Sequence, residues 1–220
     1  MKSSIFLAIA LFAVGIIAEP RCDPKQYDNV VRCYSQFFFN YNLTLGANYT
    51  LPDFNDFANN RGRDELGFNN MDMAKVCMIQ NSLTNCIGSN SGCIDVSYLP
   101  QIFNVSQNDK FAYTEDFFVS NYECKTAYDI TMNNFYCLAS IGKSGNAAIM
   151  KCVNTLNSAL ANQVDVCVAE NAYTQCLMTV YQRYCGNDAA TYICNINNIA
   201  IQHVIPSCIP TLISCGNYEH

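Results

Sequence analysis

The chain has 220 residues, half of them hydrophobic and only 14% charged, against about 25% in an ordinary domain. Its 12 basic and 18 acidic residues give a formal charge of −6, and Arg61 and Arg63 are the only close basic pair. An acidic chain without a basic stripe argues against nucleic acid as a partner and against cationic disruption of anionic membranes.

The opening MKSSIFLAIALFAVGIIAEP reads as a secretory signal. Lys2 supplies the positive start, Ile5 to Ile17 are almost wholly apolar, and Ala18 is a small residue before Glu19-Pro20. Those thirteen apolar residues fall short of the roughly 20 that a spanning helix needs. The expected organisation is a signal peptide at residues 1–18 and one secreted, cysteine-rich helical domain at residues 19–220, with no later membrane span. Loss of Lys2 leaves a charge of 11 − 18 = −7.

From Pro24 to Tyr41 the positions Tyr27, Val30, Val31, Tyr34, Phe37 and Phe38 recur with helical spacing, with Asp23 as cap and Pro24 at the first helical position. Tyr34, Phe37, Phe38, Phe39 and Tyr41, with Phe54 and Phe57, are expected in the core; the alternative is a lining for lipid. Phe39 lies off the main stripe and is the expected exposed contact. Leu43 to Asn69 reads as a long loop with short turns. A second helix is expected from Asn70 to Ile87, with Met73, Val76, Leu83 and Ile87 inward and Gly88 as its stop.

Ile94 to Tyr113 reads as another long loop, and a third helix is expected from Lys125 to Ser140. The fourth, Asn146 to Leu160, presents Ile149, Cys152, Val153, Leu156 and Leu160 as one stripe. Val164 to Cys185 is the fifth, ended by Gly186. Asn187 or Asp188 then caps a sixth that carries Ile193, Cys194, Ala200 and Val204 and stops at Pro206. The expected fold class is all-α: a disulfide-cross-linked bundle of about five to six helices with long loops.

The cysteines are Cys22, Cys33, Cys77, Cys86, Cys93, Cys124, Cys137, Cys152, Cys167, Cys176, Cys185, Cys194, Cys208 and Cys215, an even fourteen outside the signal. In an exported chain this means up to seven bridges, since disulfides persist outside the cell. Zinc ligands come closely spaced, as in C-x2-C; here the shortest gap is six residues. No metal or cofactor is expected. Cys167, Cys176, Cys185 and Cys194 recur every nine residues. Nine helical residues rise about 13.5 Å, whereas bridged Cα atoms lie within about 7 Å. Within one helix, Cys167 cannot pair with Cys176, Cys176 with Cys185, or Cys77 with Cys86. These cysteines are expected to tie different helices together; Cys185 and Cys194 straddle Gly186 and escape the exclusion.

Asn, at 27 residues, carries much of the surface solvation. Sequons at Asn42, Asn48 and Asn104 fall in the two expected loops and are candidate glycosylation sites, which requires exposure. For a hydrolase triad the mature chain offers only His203 and His220, and His203 sits late in a helix, where its charge complements the dipole. Of the paired acids, Glu115-Asp116 read as caps at a helix start, and Asp53 with Asp56 lie in an irregular segment. No catalytic residue is expected.

The run from Cys124 to Cys208 reads C-x12-C-x14-C-x14-C-x8-C-x8-C-x8-C-x13-C, including VCVAENAYTQC and YQRYCGNDAATYIC. Ahead of it lie CDPKQYDNVVRC and VCMIQNSLTNCIGSNSGC. This rhythm resembles a nematode-expanded family of secreted cysteine-rich proteins, the domain of unknown function nineteen, related to the chondroitin proteoglycan-four type domain. The resemblance extends from Cys22 to Cys208. It implies an extracellular role, with pathogen response and matrix or eggshell assembly as options, and it supplies no catalytic residues: the matching positions are the cysteines. The function expected is non-enzymatic binding of an extracellular macromolecule or glycan. The alternative is a carrier of a small apolar ligand, such as a lipid.

Overall fold

The computed structural model describes residues 22–65, 67 and 69–216; the signal expected over residues 1–18 and the terminal His220 lie outside them. Among the described residues there are ten α-helices and four short 3-10 segments, and the only β-structure is an isolated parallel bridge between Thr50 and Asn104. The all-α class and the disulfide cross-linking hold. The helices are more numerous than the expected five or six, because both stretches read as loops contain helix. None of the described helices is long and apolar enough to cross a membrane.

The Asp23 side chain accepts from the Lys25 N–H and starts a 3-10 turn that runs into α1, Tyr27–Phe39. The first helix therefore ends two residues before Tyr41. Asp53, expected in an irregular segment, caps α2 (Phe54–Glu65): its Oδ1 accepts from the amides of Asn55 and Asp56 at 2.9 and 3.3 Å. α3, Asn70–Ile87, has the expected bounds. A reciprocal Asn69–Asp72 capping box opens it, and Gly88 closes it at φ 55°, a left-handed conformation that residues with a Cβ resist.

After a short α4, Leu99–Ile102, Ser106 accepts from the Asp109 amide and starts α5, Gln107–Cys124. Glu115 and Asp116 are thus in mid-helix, not at a helix start. The helix expected from Lys125 to Ser140 is instead a turn followed by α6 (Tyr128–Asn133) and α7 (Phe135–Ser144), which break at Asn134. α8 (Asn146–Ala161), α9 (Val166–Cys185) and α10 (Asn187–Val204) match their expected spans within two residues. Neither Asn187 nor Asp188 caps α10: Gly186, at φ 90°, ends α9 and starts α10 with no side-chain cap.

The largest core joins α1, α2, the end of α3, α4 and the first half of α5. Tyr34, Phe37, Phe38, Tyr41 and Phe57 are all buried within it, while Phe39 is 76% exposed. The aromatic run is packed core. Phe57 has the rings of Phe37, Phe38, Tyr41, Phe54 and Tyr113 at centroid distances of 5.5–5.8 Å. Shortening it in Phe57→Leu is expected to lower the unfolding free energy by about 1–2 kcal/mol, while Phe39→Ser stays within about 0.5 kcal/mol. Urea unfolding with the bridges intact measures both.

Smaller clusters continue the core along the chain: Met73, Val76 and Phe135 between α3 and α7, then Ile141, Leu177, Val180 and Ile193 among α7, α9 and α10. α9 and α10 form the most extensive helix pair, α8 packs on α9, and α10 packs on α5.

All fourteen cysteines are paired, with Cα–Cα distances of 4.6–5.8 Å. No helix bridges to itself, as the nine-residue spacing requires. Cys22–Cys93, Cys33–Cys86 and Cys77–Cys124 close residues 22–124. Cys137–Cys185, Cys152–Cys176, Cys167–Cys208 and Cys194–Cys215 close residues 137–215. No bridge joins the two sets. They are linked by the chain through α6 and by packing, chiefly of α10 on α5.

Candidate functional site

Where the two halves meet, a cluster of charged side chains lines a cavity of about 290 Å³. Asp116, Ser120 and Glu123 follow one another on α5 at spacings of four and three, so they share one face of the helix. α2 brings Arg61 against that face. Its guanidinium donates to Asp116 Oδ1 at 2.7 Å and to Ser120 Oγ at 2.6 Å, and pairs with Glu65 one turn on. Arg61 is only 4% exposed. Burial works against its charge, and the carboxylates of Asp116 and Glu65 more than offset that, holding its pKa above the ordinary value.

From α10 the Tyr192 hydroxyl donates to Glu123 Oε1 at 2.5 Å, a direct polar tie between the two disulfide-closed halves. Thr131 of α6 donates to the Glu123 carbonyl at 3.2 Å. Phe57, Met73, Val119, Phe135 and Leu138 complete the wall, so one part of the cavity is apolar and the other is charged.

The two α5 carboxyls of this cluster titrate high. Burial raises Asp116 to about 6 despite the neighbouring guanidinium. Burial, reinforced by the Glu65 charge and opposed by Tyr192 and Arg61, raises Glu123 to about 7. A folded pKa above the unfolded value means that Glu123 adds stability at pH below about 4.5, and that this is lost as pH rises through about 7. Glu123→Gln keeps an acceptor for Tyr192 and removes the charge. It is expected to unfold about 1–3 kcal/mol less readily than the parent at pH 8 and with little difference at pH 4.5, read from urea unfolding at the two pH values.

The residues singled out in the sequence lie mostly elsewhere. Asn42, Asn48 and Asn104 are all exposed, and Asn42 and Asn48 have left-handed φ values of 57° and 54°. The Thr50–Asn104 bridge sets the second and third sequons side by side, with Asn104 Nδ2 donating to Thr50 Oγ1 at 2.9 Å. His203 stacks in parallel on Phe118 at 3.4 Å. Of the acidic pairs, only Asp116 reaches the cavity charge cluster; Asp53 and Asp56 serve the start of α2. Arg61, Ser120, Glu123 and Tyr192 carry no local sequence motif that marks a site. The signal on α5, an acidic and hydroxyl face made by Asp116, Ser120 and Glu123 at i, i+4 and i+7, emerges only once α5 is known to be helical. Among the described residues, no group of three or more His, Cys, Asp or Glu side chains is arranged to hold a metal ion. Comparison of the chain with protein-family models, curated proteins and solved structures returns no match in any of the three.

Proposed function

We propose that this chain is a secreted, non-enzymatic binding protein that presents a rigid, partly glycosylated surface to an extracellular macromolecule. The observation that carries the reading is the complete pairing of fourteen cysteines into bridges between separate segments. Such bridges persist in oxidising surroundings, and they hold a binding surface in shape before any partner arrives, which reduces the ordering cost of association. Exposed sequons at Asn42, Asn48 and Asn104 fit the same setting. The cysteine rhythm supports kinship with the secreted domain of unknown function nineteen family, with pathogen response and matrix or eggshell assembly as the options it implies. The absence of catalysis in this reading is supported by the engagement of the two raised carboxyls of the cavity, Asp116 with Arg61 and Glu123 with Tyr192.

One observation favours a second reading, a small-ligand carrier: the cavity of about 290 Å³. Of the aromatic core only Phe57 reaches its wall, so a carrier would use the charged junction and not the rings of α1. Native mass spectrometry of protein purified from its own source separates these readings. An empty protein that then binds one extracellular macromolecule saturably supports the first, and a co-purifying small molecule supports the second. A substrate turned over by the purified protein overturns both.

A further inference from the structure

We propose that the cavity at the junction of α2, α5, α6, α7 and α10 binds a small organic ammonium ion with an apolar body. The inference rests on the carrier reading above and changes its ligand from a neutral lipid to a cation. The size comes first: about 290 Å³ is at the lower edge of small-molecule pockets, about 300–1,000 Å³, and suits one ring with a short chain.

The charge balance points to the sign. One guanidinium, Arg61, faces three carboxyls, Glu65, Asp116 and Glu123, giving 1 − 3 = −2 when all are ionised. Arg61 is already engaged by Glu65, Asp116 and Ser120. Among the described residues Glu123 forms no ion pair; its carboxylate oxygen accepts from the neutral Tyr192 hydroxyl alone. A ligand ammonium beside Glu123 supplies the counter-charge that the fold leaves out, and a half-buried carboxylate pairs with it more strongly than one in water. The apolar body then rests on Phe135, Leu138 and Met73. Aromatic rings also attract ammonium groups electrostatically. A carboxylate ligand meets the opposite field, and a neutral alcohol gains no ion pair.

Proton linkage gives the site a signature. The charged and titratable groups around Glu123 are Arg61 and Glu65 from α2, Asp116 from its own helix, Tyr192 from α10 and Tyr181 from α9. The ammonium binds the ionised form of Glu123, so binding near neutral pH expels a proton, and affinity falls as the carboxyl is protonated.

The test is isothermal titration of the intact, fully bridged protein with phenethylamine and with phenethyl alcohol, which share a body and differ in the charged group. At pH 8 the amine is expected to saturate one site at least about tenfold more tightly than the alcohol. At pH 5.5, below the Glu123 value of about 7, amine affinity is expected to drop by at least about tenfold. Titrations at pH 7 in two buffers of different ionisation heat are expected to show proton release by the wild type. Glu123→Gln, its fold checked by circular dichroism, is expected to lose the preference for the amine. Failure of the amine to bind, equal binding of amine and alcohol, or amine binding with no proton release overturns the proposal. A macromolecular partner found in the presence of any of these results sinks the ammonium site and leaves the binding-protein reading standing.

Discussion

Full reduction of the seven bridges is expected to unfold the chain at neutral pH and 25 °C, with loss of most of its helical circular dichroism. Each bridge contributes about 2–4 kcal/mol, against a net stability of about 5–15 kcal/mol for a whole domain. The contributions do not add, but the bridges here close long stretches. Cys22–Cys93, Cys33–Cys86 and Cys77–Cys124 span 71, 53 and 47 residues, and the entropy removed from the unfolded chain grows with that span. The noncovalent side is thin where it matters. α8 has 16 residues and fully buries only Cys152, the partner of Cys176 in α9. Without that bridge, α8 is held by partly buried Ala148 and Ile149, and its 16 residues barely exceed the roughly 12–15 below which isolated helices are marginal in water. Cys152→Ala with Cys176→Ala is therefore expected to fray α8 first, read as faster amide exchange over residues 146–161. Native circular dichroism that survives reductant contradicts this dependence.

Replacing Arg61 by leucine is expected to lower the unfolding free energy by about 3–5 kcal/mol at pH 7.5, because it leaves buried carboxylates without their cation. The loss is expected to shrink at pH 5. Asp116, raised to about 6, is then largely protonated, and a neutral carboxyl tolerates the missing guanidinium. Asp116→Asn added to Arg61→Leu is expected to recover part of the loss at pH 7.5, which shows the two side chains to be coupled. Arg61→Lys is expected to fall between, since one ammonium cannot reproduce the fork that reaches Glu65, Asp116 and Ser120 together. An equal loss at both pH values assigns Arg61 a packing role alone.

The helices that could be read from the chain are those whose inward face is plainly apolar and whose ends are marked. α3 shows Met73, Val76, Leu83 and Ile87 before Gly88; α9 runs to Gly186; α8 repeats apolar positions from Ile149, although the last of them, Leu160, is 39% exposed. α2 and α5 were hidden for a physical reason. α2 fully buries only Phe57 and Arg61, so its pattern is that of a polar loop. α5 buries Thr114 and Ser120 beside Tyr113 and Phe117. The Thr114 hydroxyl donates to the Ile94 carbonyl at 2.7 Å, and Ser120 accepts from Arg61. Polar side chains thus occupy core positions because partners from distant segments satisfy them, and no local period reports that. The split of the Lys125–Ser140 stretch at Asn134 has no marker as strong as Gly or Pro.

The cavity cluster was out of reach for a related reason. Arg61 and Asp116 are 55 residues apart, and Glu123 and Tyr192 are 69 apart. Such meetings are a product of the fold. The cysteine spacing did carry non-local information, because geometry forbids pairing within a helix. It excluded wrong partners without choosing right ones, and so it gave no sign that the bridges divide into two closed sets with α6 between them.

That division decides how the molecule is built: two halves, each locked by its own sulfur, meet noncovalently where α10 lies on α5 and Tyr192 reaches Glu123. Non-reducing peptide mapping by mass spectrometry tests it most directly. Every cross-linked peptide pair is expected to lie wholly within residues 22–124 or wholly within residues 137–215, with Cys77 joined to Cys124 and Cys137 to Cys185. A single native cross-link between the two sets, such as Cys124 to Cys137, contradicts it.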